Sequence, residues 1–155
     1  MSKLPTRLRR HPILRQLVQE THLLISDLVQ PIFVTYSNEK TEIASMPGQY
    51  HIPLSIIEKE MKQLVNAGIN AIILFGIPEK KDEKGLDAID DNGIVQQAVR
   101  KIKQHFPDLL IITDVCFCQY TTHGHCGILD KKGLIDRRKS LEYLQKQVIS
   151  HVNAG

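Results

Sequence analysis

Two uninterrupted apolar runs, each preceded by a helix-patterned segment, restrict what this chain can fold into. Residues 70–75 read Asn-Ala-Ile-Ile-Leu-Phe and residues 109–114 read Leu-Leu-Ile-Ile-Thr-Asp. A strand with one wet face alternates polar and apolar residues, so runs like these fit strands covered on both faces. Before the first run, Ser55 to Ala67 sets Ile57, Met61, Leu64 and Val65 at helical spacing, with Ser55 as N-cap and Gly68 as stop. Before the second, Gly93 to His105 repeats the pattern with Ile94, Val95, Ala98, Val99 and Ile102. Leu28 to Val34 reads as an earlier strand complicated by Pro31. Lys139 to Asn153 reads as a last helix with Leu141, Leu144, Val148 and Val152 on one stripe. Three strand–helix units in succession imply an α/β protein with a parallel sheet and right-handed crossovers. A doubly wound sheet and an eight-stranded barrel both satisfy this, and both put ligand chemistry beyond the carboxyl ends of the strands. The lysine- and aspartate-rich stretch 79–92 reads as a solvated loop. No glycine-rich phosphate loop follows any strand.

The chain has 155 residues, 42% hydrophobic and 24% charged, a soluble globular composition of one-domain size. No apolar run reaches the ~18 residues that would span a bilayer, and the start is basic rather than an apolar signal core. The expected location is therefore cytoplasmic, with no membrane partner. Residues 1–22 carry Lys3, Arg7, Arg9, Arg10 and Arg15 against Glu20, a balance of +4 within a net +3, so the remainder sums to −1. Such an arm reads as solvated or as contacting another subunit. It lacks the interleaved aromatics of a base-stacking surface, so no nucleic-acid partner is expected.

All three cysteines, Cys116, Cys118 and Cys126, fall inside eleven residues, immediately after the last apolar run and Asp114. In extended chain, residues i and i+2 point the same way, so Cys116 and Cys118 can face one ion with Phe117 turned opposite. Gly124 and Gly127 offer the conformational freedom for a tight return that brings Cys126 back. Three thiolates leave a fourth tetrahedral position for water, substrate or a histidine, as in a catalytic rather than a structural zinc site. His123 reads as a loop histidine that hydrogen-bonds a neighbour. His125, adjoining Cys126, reads as supporting the ligands or facing substrate. Inert buried thiols and a disulfide are the alternatives, the latter disfavoured by the odd count.

The stretch Asp114 to Gly127 resembles the zinc loop of the porphobilinogen synthase family, also called delta-aminolevulinic acid dehydratase. The resemblance extends over nearly the whole chain, through Arg7-Leu-Arg-Arg-His-Pro12, Ser45-Met-Pro-Gly48, Leu74-Phe-Gly-Ile-Pro78 and Phe106-Pro-Asp108. It implies a (β/α)8 TIM barrel, here about its first three β/α units (residues 25–155), behind an N-terminal arm (residues 1–24). The arm would embrace a neighbouring subunit in a homo-oligomer, an octamer in the family. The implied activity is that of a lyase that condenses two 5-aminolevulinate molecules to porphobilinogen in heme biosynthesis. The implied cofactor is Zn2+ held by Cys116, Cys118 and Cys126, with Asp114 at the edge of the active site.

Two departures from the family pattern are small: Gln119 where a proline is common after the second cysteine, and Arg137-Arg138 before the last helix. A third is large. The family forms Schiff bases on two lysines of later barrel strands, and Lys131, Lys132, Lys139 and Lys146 match neither. The chain is therefore expected to be the N-terminal part of the enzyme, with no catalytic lysine of its own, an open apolar sheet edge and no activity alone. The alternatives are a catalytically inactive zinc-binding fragment and, last, a basic-arm nucleic-acid binder.

Overall fold

A computed structural model describes residues 6–155. Lys3, counted above in the basic arm, lies outside them. The body is a five-stranded sheet in the order β2-β3-β1-β4-β5, formed by β1 (Gln30–Thr35), β2 (Thr41–Glu42), β3 (Tyr50–Pro53), β4 (Ala71–Ile77) and β5 (Leu110–Thr113). The β1, β4 and β5 strands run parallel, with Ile32 opposite Leu74 and Ile72 opposite Ile111. Among the described residues, four α-helices accompany them: α1 (Pro12–Leu17), α2 (Ile57–Asn66), α3 (Ile94–His105) and α4 (Arg137–Ala154). This is the expected α/β succession, and the sheet is not closed into a barrel.

One face of the sheet carries the core. Ile32, Val34, Ile72 and Leu74 meet Ile57 and Met61 of α2 and Ile94, Val95, Ala98, Val99 and Ile102 of α3. Both helices therefore bury the stripes expected of them. Ser55 does not cap α2, however. It sits inside a 3-10 turn, Leu54–Ile56, and no side chain caps the helix that follows. Gly68 does end it, at φ +88°.

The strands differ from expectation in one instructive way. In β4 every second residue is buried and the others are half-exposed, and β5 is exposed or half-exposed throughout. Neither is covered on both faces. The face bearing Phe33 and Phe75, whose rings stack 5.1 Å apart, is open, and β5 is an edge. Apolar runs on an open face mark surfaces suited to further cover. Pro31 lies in the half of β1 that β3 does not reach, where a missing donor costs least. The short β2–β3 hairpin went unread in the sequence. It is closed by a turn at Met46-Pro-Gly48 with Gly48 at φ +80°.

The orientation of α4 was left open by the sequence. Its first turn is capped by Asp136, which accepts from Lys139 N at 3.1 Å. Most of its apolar stripe faces outward, with Leu141 67% and Val152 71% exposed, and only Leu144 packs against the core. Ser140, Gln147, Ser150 and His151 point inward instead. Gln96 Nε2 of α3 donates to Ser150 Oγ at 2.8 Å, and His151 Nδ1 lies 3.0 Å from Thr113 Oγ1. Both amide atoms of Gln147 and Nε2 of His151 have no partner among the described residues.

Burial holds the His151 pKa below its usual value, so folding opposes its protonation. The unfolded chain takes up that proton near pH ~6.5. Stability is then complete above that pH and falls as pH drops below it. The thermal midpoint of the wild-type chain should fall further between pH 7.5 and 5.5 than that of His151→Gln. Equal falls would clear His151 of the effect.

Residues 6–29, including α1, are exposed throughout, among them Leu17 at 75% and Leu23 at 79%. No helix among the described residues is long and apolar enough to cross a membrane.

Candidate metal centre

Beyond the carboxyl end of β5, Asp114 N still donates to Leu74 O at 3.2 Å, continuing the ladder by one bond. The chain then bends. Tyr120 N and Thr121 N both donate to Phe117 O, at 2.9 and 3.0 Å, and Thr121 Oγ1 lies 3.1 Å from both Phe117 O and His125 O. This wraps residues 116–126 into a compact loop whose thiols converge. Cys116 Sγ is 3.2 Å from Cys118 Sγ and 3.0 Å from Cys126 Sγ. All three sulfurs lie within 4.8 Å of one another, a group able to hold a metal ion, and no histidine joins it among the described residues. Phe117, between two of the thiols in the chain, is fully buried, at the bend where the extended backbone ends.

The two loop glycines have different reasons to be there. Gly124 has φ +70° and makes the return turn. Gly127 has no positive φ. A Cβ there would stand 2.7 Å from Ser140 Oγ on α4, and that hydroxyl accepts from Ile128 N at 2.9 Å. Close approach to α4, rather than φ, excludes a side chain.

The thiols differ electrostatically. Burial, reinforced by the hydrogen bond to Cys126, pushes the Cys116 thiol up to about 12. Cys126 is exposed and is drawn down by the hydrogen bond from Cys116. Metal ligation needs thiolates, so an ion binding here displaces protons. Asp114 is held above the usual carboxylate range by burial, partly offset by the Val115 N–H. It lines a cavity of about 210 Å³ with Phe33, Phe75, Cys118 and Tyr120. A carboxyl, a thiol of the trio and two aromatic rings thus share one concave space on the open face of the sheet, toward the carboxyl ends of the strands, a setting for binding a small polar molecule beside a Lewis acid.

His125 is exposed and stacks on His123 at 5.5 Å. Its N–H donates to His123 Nδ1 at 3.1 Å, and His123 Nε2 lies 3.2 Å from Glu83 O. His123 is therefore the loop-bonding histidine expected. Lys131, Lys132, Lys139 and Lys146 are exposed. Lys139 pairs with Asp136 at 3.7 Å, and Lys146 stands 5.1 Å from the Tyr143 ring centroid.

Residues 79–92 are mostly exposed, as expected of a solvated loop, but they are held in a defined shape. The Asp82 carboxylate accepts from Lys84 N and Leu86 N at 2.7 and 2.9 Å, folding the stretch onto itself. Asp87 turns inward to accept from Tyr36 Oη at 2.9 Å. Burial raises the pKa of both partners of that bond. Aspartates that serve nearby N–H groups look identical in sequence to solvated ones.

The delta-aminolevulinic acid dehydratase family matches this chain over residues 2–155. The chain belongs to that family. A delta-aminolevulinic acid dehydratase of Ruminiclostridium josui is 45% identical over 156 residues, covering all of this chain and 76% of that protein. One from Bacillus subtilis is also 45% identical, over 96% of this chain and 46% of its own length. The crystal structure of the Toxoplasma gondii dehydratase, in complex with the reaction product porphobilinogen, superposes with a TM-score of 0.93 at 32% identity. It covers all of this chain, which in turn spans 45% of it. The chain thus spans about half the length of most of the relatives described, and its open sheet corresponds to part of a barrel.

Proposed function

We propose that this chain supplies the metal-binding portion of a cytoplasmic porphobilinogen synthase, which condenses two 5-aminolevulinate molecules with loss of water. The observation that carries this reading is the convergence of three thiols beside Asp114 at the carboxyl end of β5. In a tetrahedral zinc site with Zn–S distances of ~2.3 Å, sulfurs stand roughly 3.8 Å apart. The observed 3.0 and 3.2 Å separations need to open by roughly 0.7 Å, a movement that side-chain rotation supplies. An all-thiol donor set suits a soft or borderline ion, which favours zinc over magnesium or calcium.

Zinc held by Cys116, Cys118 and Cys126 would act as a Lewis acid toward a substrate oxygen or amine. Three thiolates neutralise the ion's charge and moderate that acidity. Asp114, partly desolvated, would orient a substrate amine or hold a proton at its carboxyl oxygen. Phe33 and Phe75 would exclude water from one side of the same space. His125, at the exposed mouth of the loop, would face substrate or solvent rather than the ion.

No lysine lines the Asp114 cavity among the described residues. The Schiff-base lysines implied by the family would have to come from strands set beside β5, so the chain by itself should bind zinc without turning over. The test is porphobilinogen formation from 5-aminolevulinate, with zinc and a thiol reductant. The chain alone should give none. A polypeptide carrying the later strands of the B. subtilis relative should restore product, and Cys118→Ser should remove it. Product from the chain alone would sink the claim about lysines. No product from the complemented wild type would sink the functional reading.

The exposed segment 6–29 supports the arm reading. Its apolar side chains find almost no cover in the body, although Ile25 Cγ2 stands 3.4 Å from where a Gly68 Cβ would be. A neighbouring subunit of an octamer would supply that cover. Deleting residues 1–24 should lower the mass of the assembly measured by light scattering. An unchanged mass would rule the arm out as the joining element.

A further inference from the structure

The loop of residues 79–92 lies across the back of the cysteine loop and is stitched to it by main-chain bonds. Asp82 N donates to Tyr120 O at 3.2 Å, Thr122 N donates to Asp82 O at 3.0 Å, and Asp82 pairs with Thr121 as an isolated parallel bridge. At the centre of this contact is Gly85, buried and at φ +63°. A Cβ there would stand 2.8 Å from Phe117 Cδ1 and 3.1 Å from Tyr120 Cβ. Phe117 has no retreat. It is fully buried and meets the Tyr143 ring of α4 edge-on at 6.2 Å. Residue 117 also separates the two thiols that approach to 3.2 Å. A shift of the Phe117 backbone is therefore carried directly to Cys116 and Cys118 on either side.

We infer that Gly85 is a positioning residue for the metal centre: the absence of a side chain seats the Phe117 ring, and that seat fixes the spacing of the thiols that flank it in the chain. The inference rests on the metal reading above. It gives the loop 79–92, which carries no ligand, control over how tightly the ion is held. Supporting groups that orient ligands affect metal affinity by about 10–100-fold, and this contact works by packing rather than by a hydrogen bond.

The test compares Gly85→Ala with Gly133→Ala. Gly133 also has a left-handed φ, +77°, but nothing lies within 4 Å of its Cβ position. Both variants bear the backbone strain, and Gly85→Ala alone bears the clash. Zinc affinity is read by competition with a chromogenic chelator, and geometry by the thiolate charge-transfer and ligand-field bands of the cobalt(II) form. Gly85→Ala is expected to bind zinc at least about 10-fold more weakly with altered cobalt bands. Gly133→Ala should stay within about twofold of wild type with unchanged bands. Equal affinities in Gly85→Ala and wild type, or equal losses in the two variants, would overturn the inference. If Gly85→Ala loses its helical circular dichroism, Phe117→Leu takes its place. Removing the ring from its seat should also weaken zinc and alter the bands, and wild-type values there overturn the inference equally. A wild-type chain that binds no metal through its thiols would instead refute the metal reading, so the two failures are distinguishable.

Discussion

Cys118→Ser is expected to weaken zinc binding by on the order of 100-fold or more while leaving the fold in place. Serine preserves the shape of the side chain but replaces a soft thiolate donor with a hydroxyl that stays protonated at neutral pH. Groups that only support ligands already change affinity by about 10–100-fold, so loss of a ligand should exceed that. Cys118 is half-buried and its sulfur meets only the other two thiols of the trio, so stability should barely move. Titration against a chromogenic chelator decides the matter. An unchanged affinity would mean that the ion, if bound, sits elsewhere.

Gly76→Ala should destabilise the chain by about 2 kcal/mol, a sign opposite to the usual one. In an ordinary strand, alanine in place of glycine is favourable by about 0.5–1 kcal/mol. Here a Cβ would stand 2.3 Å from Tyr120 Oη, 2.7 Å from Ile94 Cγ2 and 2.8 Å from Val95 Cγ2. Two of those atoms belong to α3 at the centre of the core, and the third is the tip of a side chain that anchors the cysteine loop. The thermal midpoint should fall by about 4–8 °C. A variant as stable as the wild type would show that Tyr120 and α3 yield freely, and that the loop is not wedged above β4.

What the sequence made legible followed from short-range pattern. The β1, β4 and β5 strands lie within two residues of the apolar runs, and α3 spans nearly the residues its periodicity marks, because both signals depend on near neighbours. The thiol trio was legible because soft ligands at this spacing have few other uses. The face of α4 was not. Its stripe could be read but not what it would face, and Gln147, Ser150 and His151 occupy the inner side. The direction of an amphipathic helix is set by what stands on each side of it, and one side of α4 is bare. The anchors of the cysteine loop were hidden for a related reason. Gly85 and Gly76 matter through atoms distant in sequence, and nothing local separates them from Gly124 or Gly133, whose Cβ positions are open.

The bare edge of β5 has a use as a reporter. Leu110 N donates to Asn70 O at 2.9 Å and Asp114 N to Leu74 O at 3.2 Å, both toward β4. Strand alternation turns the N–H groups of Ile111 and Thr113 the other way. In the chain by itself, those two amides should exchange with deuterated solvent far faster than their neighbours. When another strand docks there, the same two should slow first. Alternate-residue exchange along four residues of β5 therefore reads out whether the sheet has been extended, independently of any catalytic turnover.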